Sequence, residues 1–157
     1  MTMTTTYNFA RQLAIGEAHE RRLDAHFELW FAITPATRDE QRAGIDRIFV
    51  HRTTGKRYTV EYKADDKAGR TGNAFVEVTS VDTAGRAGWA MSSQADILVY
   101  LVVEPETVYA LRMKTLRTAL ARWQRHYPKR SAQNQGYKTW GYLVPLAELE
   151  KIALEVH

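Results

Sequence analysis

Asp46, Glu61 and Lys63 are charged residues at positions that the surrounding pattern reserves for apolar groups. Asp46 stands between Ile45 and Arg47 in a stretch rich in β-formers (Ile45, Ile48, Phe49, Val50), and by period-two alternation it shares a face with Ile48 and Val50. Asp is depleted in strands, so it needs a local reason to be there. In Val60-Glu61-Tyr62-Lys63 the glutamate and lysine are two residues apart and project from one face of the next strand. Counted from a turn centred on Thr54-Gly55, Asp46 is about eight residues back and Glu61 six forward. An antiparallel hairpin therefore brings the two acids near the same end. Glu20 is the third acid of this kind, three residues before Leu23 and seven before Phe27, in the middle of an apolar helical stripe. Such a carboxylate carries a large desolvation cost unless it is paired or coordinates a metal. For Glu20 alone, a buried Glu–Arg ion pair is the better account.

Three carboxylates with a neighbouring lysine make a metal-assisted hydrolase site. Hard divalent cations such as Mg²⁺ prefer oxygen ligands, take few carboxylates and keep positions for water and phosphate. A lysine nearby can orient or help deprotonate the attacking water and stabilise developing negative charge. Zinc suits the chain less well. Cysteine is absent, and His19, His26, His51, His126 and His157 show neither HxxxH nor HExxH spacing. There is no Walker A sequence, no GxGxxG and no GxSxG.

The elements that must hold these groups are legible in outline. A helical pattern runs from Gly16 to about Ala32, with Leu23, Phe27, Trp30 and Phe31 on one stripe and Leu13 on the same side. Thr34, Pro35 and Thr37 break it. Strands are expected over Gly44–His51 and Lys56–Ala64, joined by a turn at Thr53-Thr54-Gly55-Lys56. A third is expected over Ala74–Ser80, and a loop with a short helix over Thr83–Gln94. Asp96–Glu104 is nearly continuously apolar and reads as a central strand covered on both faces. Val108–Arg112 reads as a further strand and Met113–His126 as an amphipathic basic helix with Leu116, Leu120 and Trp123 on one face. A strand near Thr139–Val144 and a helix from Pro145 to about Leu154 follow. The expected fold is α/β, a mixed central sheet of about five strands flanked by helices.

The chain has 157 residues, 45% hydrophobic and 25% charged, with a net charge of +4. This is the size and balance of a single globular domain over 1–157, with 1–10 as a frayed tail. No apolar run approaches the ~20 residues of a membrane span, and the N-terminus lacks the features of a secretory signal, so a cytoplasmic protein is expected. The charge is segregated. Between Thr107 and Ala147 there are eight bases and no acid, which leaves 14 bases against 18 acids elsewhere. This pattern suits a protein that holds a polyanion with one surface and keeps carboxylates for chemistry on another.

The order Gly44-Ile45-Asp46, then Val60-Glu61-Tyr62-Lys63, is similar to the motif of the PD-(D/E)XK nucleases, with Ile45 where the motif has proline. Gly16-Glu17-Ala18-His19-Glu20-Arg21-Arg22-Leu23 resembles the opening helix of archaeal-type Holliday junction resolvases, and compact viral or bacterial enzymes of this type fit as well. The resemblance spans about Gly16 to Ala64; residues beyond about Tyr109 form a basic extension, 107–157, expected to pack on the core. It implies a restriction-endonuclease-like core in which Glu20, Asp46 and Glu61 bind Mg²⁺ (or Mn²⁺), the Tyr62 carbonyl adds a ligand and Lys63 is the catalytic lysine. It further implies a homodimer that makes paired cuts in a four-way DNA junction, in the cytoplasm or, for a viral chain, the host's cytoplasm.

Candidate DNA contacts are Arg21 and Arg22 beside Glu20, Lys67 and Arg70 in the loop after Lys63, and Lys114, Arg117, Arg122 and Arg125 on the basic helix. Trp123, Tyr127, Tyr137, Trp140 and Tyr142 interleave with the bases and suit either stacking or packing. Gln94 and Asp96 suit either support of the site or capping. Two alternatives stand beside the resolvase: a nuclease of this superfamily acting in repair, restriction or end processing, and a non-catalytic DNA-binding module on the same fold.

Overall fold

A computed structural model of the chain describes residues 2–157, with side chains from Ala10 onward. The tail expected over 1–10 lies, for Met1 and the side chains before Ala10, outside the described residues. The backbone from Thr2 is already helix.

In chain order, α1 (Thr2–Phe27), β1 (Phe31–Pro35), α2 (Arg38–Arg42), β2 (Arg47–His51) and β3 (Arg57–Asp65) form the first part of the fold. Then come α3 (Ala68–Thr71), β4 (Asn73–Val81), β5 (Arg86–Ala87), α4 (Trp89–Ser92), β6 (Ile97–Val102), β7 (Thr107–Arg112) and α5 (Met113–His126). The chain closes with β8 (Lys129–Gln133), β9 (Lys138–Pro145), α6 (Leu146–Ile152) and β10 (Glu155–Val156). The fold is mixed α/β. A six-stranded sheet has the order β1-β2-β3-β6-β7-β10, and a second, four-stranded sheet has the order β5-β4-β9-β8. All pairings are antiparallel except β3 with β6.

The sheets differ from the single one of about five strands that the sequence suggests. The expected helix to Ala32 stops at Phe27, and Phe31–Pro35 instead pairs with β2 at the sheet edge, where a terminal proline is tolerated. Once the helix ends, its period no longer applies, and Trp30 is exposed; Leu13, within α1, is exposed as well. The expected strands at 74–80 and 139–144 exist, but they pair with each other in the second sheet. The 107–157 segment is built into both sheets: β7 and β10 belong to the first, β8 and β9 to the second. Among the described residues no helix is long and apolar enough to cross a membrane.

β6 is the strand covered on both faces. Val99 and Leu101 meet Leu23 and Phe27 of α1 together with Phe49, Val60 and Tyr62. Leu98, Tyr100 and Val102 meet Leu116, Leu120 and Trp123 of α5 and Val76 and Val144 of the second sheet. Each such burial contributes roughly 1.5–3 kcal/mol. The alternation has a direct consequence for chemistry: Tyr62 faces α1, so Glu61 and Lys63 face the other way.

Candidate active site

The β2–β3 register carries Asp46 to Glu61. Arg47 pairs with Val60 in the ladder, and one residue earlier the Asp46 N–H donates to the Val60 carbonyl at 2.8 Å. A tight turn delivers Asp46 to this place. Gly44 has φ of +81°, a conformation that favours glycine, and a Cβ there would stand 2.9 Å from Ser93. Asp46 Oδ2 accepts the Tyr62 N–H at 2.7 Å. Because the N–H and C=O of a strand residue point to the same edge, the Tyr62 carbonyl also lies on the β2 side, past the last rung of the ladder.

Glu61 is buried, with its side chain 6% exposed, and Oε1 is 3.2 Å from the Lys63 ammonium, which is 37% exposed. Its other oxygen, Oε2, is buried and makes no hydrogen bond among the described residues. Burial pushes the Glu61 carboxyl above the usual carboxylate range, against the pull of the Lys63 charge and nearby Ser93, while Asp46 pushes the same way as burial. Asp46 is likewise raised by burial, partly opposed by the Tyr62 N–H and by Lys63 and Arg47. Two mutually repelling carboxylates held out of water beside one lysine are an arrangement that a cation relieves.

Glu20 takes a different place from that of a third ligand. Its carboxylate meets the Arg47 guanidinium at 3.3 Å, the ion pair that accounts for this residue on its own. Arg47 also holds Asp24 at 3.0 Å and the Asp46 carbonyl at 3.0 Å, and its guanidinium lies 5.5 Å from the Tyr62 ring centre. The Tyr62 hydroxyl donates to Asp24 at 2.8 Å, and burial followed by the Asp24 charge raises its pKa. Glu20 still borders a cleft of about 360 Å³ with Tyr62, Lys63 and Asp66. Among the described residues no three His, Cys, Asp or Glu side chains converge on one point. The set therefore divides: Asp46, Glu61, Lys63 and the Tyr62 backbone lie together, and Glu20, on α1, is paired with Arg47.

The expected DNA contacts also divide. Arg21, Lys67, Arg70, Lys114 and Arg125 are exposed. Arg22 is ion-paired with Glu106, and Arg122 meets Glu148 at 2.9 Å. Arg117 turns inward, donating to the Ala90 carbonyl at 2.9 Å and to the Ser93 carbonyl. That clamp ties α5 to the segment beside Glu61, so Arg117→Ala is expected to cost about 2 kcal/mol, as hydrogen bonds from charged groups do. Lys114→Ala on the same helix is expected to stay within about 0.5 kcal/mol. Urea denaturation of the two variants checks the contrast, and equal stabilities would refute the clamp.

The aromatic residues are used mainly for packing. Trp123 is fully buried and donates to Glu148 at 3.3 Å, and the Tyr127 hydroxyl donates to the same carboxylate at 3.0 Å. Tyr142 packs against the α5 side of the core, Tyr137 is half-buried at the β8–β9 turn, and Trp140 lies beneath Lys129 and Lys138. Asp96 is a cap: its carboxylate accepts from Thr59 N and Oγ1 at 3.1 and 3.0 Å. Gln94 is exposed, and its backbone donates to the Ala43 carbonyl.

Two supporting residues escape the sequence reading. Ser93 is buried beside Glu61 and donates to the Gly44 carbonyl at 3.0 Å; nothing in its local sequence marks it. Arg47 organises Glu20, Asp24 and Asp46, and its signal is an arginine alternating with Phe49 toward the α1 face. Comparison of the chain with family models, with curated proteins and with solved structures yields no match, and the residues themselves carry its functional reading.

Proposed function

We propose that the chain is a Mg²⁺-dependent endonuclease that hydrolyses DNA phosphodiester bonds on a restriction-endonuclease-like core. The observation that carries the reading is the pair Asp46 and Glu61, brought together by strand register, with Lys63 at 3.2 Å from Glu61. In support of the fold are the helix α1, the antiparallel meander β1-β2-β3 and the return of β6 parallel to β3.

The residues fit a hard divalent cation. Glu61 Oε2 is a buried oxygen with no hydrogen bond among the described residues, the donors are carboxylates and a carbonyl, and two acids balance two positive charges. Asp46, Glu61 and the Tyr62 carbonyl would hold Mg²⁺, with Mn²⁺ as a substitute. The ion supplies charge neutralisation at the phosphoryl oxygens and makes water easier to deprotonate. Lys63 orients the attacking water and stabilises the charge that develops on phosphorus oxygens. Asp46 and Glu61 repel one another and are held in position by the Tyr62 N–H and by Lys63.

The resemblance of Glu20, Asp46, Glu61 and Lys63 to junction resolvases extends the proposal to paired cuts in four-way junctions by a homodimer. The test is cleavage of a labelled four-way junction beside linear duplex and single strand of the same sequence, with Mg²⁺ and with chelator. Paired Mg²⁺-dependent cuts confined to the junction are expected. Equal cutting of all three substrates would keep the nuclease and discard junction resolution. Binding without cutting under Mg²⁺ or Mn²⁺ would assign the fold to a non-catalytic DNA-binding module.

A further inference from the structure

Helix α1 ends at Phe27 and leaves part of the sheet beneath it open. There a cavity of about 420 Å³ is walled by aromatic side chains, among them Phe31, Phe49 and Tyr58, with Trp30 also on its lining. Trp30 is 45% exposed although it is large and apolar. Tyr58, Ile97 and Arg112 line this cavity and also a second space, a cleft of about 530 Å³. The cleft is lined by Lys56, Arg57, Arg112, Lys114 and Arg117 against one acid, Asp96.

The bases of the cleft are not equivalent. Arg117 is spent on two carbonyls and Arg57 lies 3.8 Å from Glu40. Asp96 is held by Thr59. Lys56 lies 5.4 Å over the Tyr58 ring, at the boundary of the two spaces. Arg112 and Lys114, at the start of α5, are exposed and have no ion pair among the described residues.

We propose that the adjoining spaces hold an unpaired nucleotide of a DNA strand, its base in the aromatic cavity and its phosphates on Lys56, Arg112 and Lys114. An apolar ligand would not use the cations, and a phosphate alone would not use the aromatic walls. A nucleotide uses both: aromatic faces stack on any base, and a basic groove follows the backbone. Three cations in a cleft larger than the cavity suit successive phosphates of a strand better than one mononucleotide. A base inside a duplex is stacked on both faces, so the cavity selects one that is unpaired. Arg57 and Glu61 share a face of β3, four residues or about 13 Å apart, so one strand can reach from the cleft to the carboxylates. The inference rests on DNA being the substrate and concerns where an unpaired strand is held; it depends neither on cleavage nor on the four-way junction being the DNA that is cut.

The test measures binding by fluorescence anisotropy with chelator present, using the full chain. The probes are a 20-nucleotide single strand carrying 2-aminopurine, the blunt duplex of the same sequence, and deoxyadenosine monophosphate. The single strand is expected to bind at least about 5-fold more tightly than the duplex, with quenching of 2-aminopurine by stacking. Trp30→Ala and Arg112→Ala, both at exposed positions, are each expected to weaken single-strand binding by about 5-fold or more, and Arg86→Ala on the second sheet to leave it unchanged. Wild-type binding in both cavity variants overturns the proposal. Deoxyadenosine monophosphate binding as tightly as the single strand, with the same sensitivity to the variants, overturns the strand in favour of a free nucleotide. A Trp30→Ala effect on self-association alone assigns the cavity to a second copy of the chain. Binding that follows the expected pattern in a protein that cuts no DNA refutes the endonuclease and upholds the inference. Mg²⁺-dependent cutting with wild-type binding in both variants does the reverse.

Discussion

Lys63→Ala is expected to lower Mg²⁺-dependent cleavage by about 10²–10⁴-fold, the range lost with a positioned proton-transfer group, while DNA remains bound. Among the described residues Lys63 is the one cation within 4 Å of Glu61, and it borders the cleft shared with Glu20 and Asp66. Its removal leaves the buried Glu61 carboxylate without its cation, so Glu61 is driven further toward its protonated form and both the lysine and a strong cation ligand are lost together. Lys63→Arg keeps the charge but presents a planar fork in place of a compact ammonium, and is expected to restore little of the rate. Asp46→Asn is expected to be as damaging by another route: an amide oxygen can still accept the Tyr62 N–H, but the negative charge is gone. Glu20→Gln is expected to cost much less, because Glu20 is already committed to Arg47. Single-turnover cleavage of one labelled substrate measures all four. Wild-type rates for Lys63→Ala and Asp46→Asn would show that the site lies elsewhere, and a Glu20→Gln loss equal to that of Asp46→Asn would make Glu20 a ligand.

The hairpin that joins Asp46 to Glu61 was legible because period-two alternation and one turn at Thr53–Lys56 fix register over a short span. The same local logic found β6 and α5, whose apolar patterns are long and regular. It could not find β1, since Phe31–Pro35 has the composition of a helix end as much as of a strand, and only pairing with β2 decides between them. Nor could it separate the sheets: Asn73–Val81 reads as a strand wherever it pairs, and its partner lies some seventy positions on, in Lys138–Pro145. Charge positions posed the same difficulty. Arg117 and Lys114 are alike in sequence, yet one is drawn inward by two carbonyl oxygens that α4 and the residue after it present. Glu20 stands out in the sequence as a charge in an apolar stripe, but its partner Arg47 lies on β2, a helix-to-strand contact that no periodicity reveals.

Mg²⁺ is expected to stabilise the wild-type protein and to leave Glu61→Gln nearly unchanged. Without cation, both carboxyls have folded-state pKa values raised chiefly by burial. Their contribution to stability is thus present below the unfolded values, near 4, and is lost as pH rises through the raised folded values. Wherever Glu61 is ionised its buried charge is a liability, and Glu61→Gln removes the charge while keeping the shape. The variant without cation is expected to be more stable by about 1–2 kcal/mol, or about 2–8 °C in a chain of this size. A cation at 100 times its dissociation constant adds about 2.7 kcal/mol to the wild type, roughly 5–10 °C, and reverses the order of the two proteins. The gain fades toward acid pH, where protons compete for the same oxygens. Thermal melts of both proteins between about pH 5 and pH 8, with Mg²⁺ and with chelator, read every part of this without any DNA. An equal shift in wild type and variant would remove Glu61 from the ligand set. No shift in the wild type at any of these pH values would remove the cation, and a variant less stable than the wild type without Mg²⁺ would make Glu61 a structural partner of Lys63.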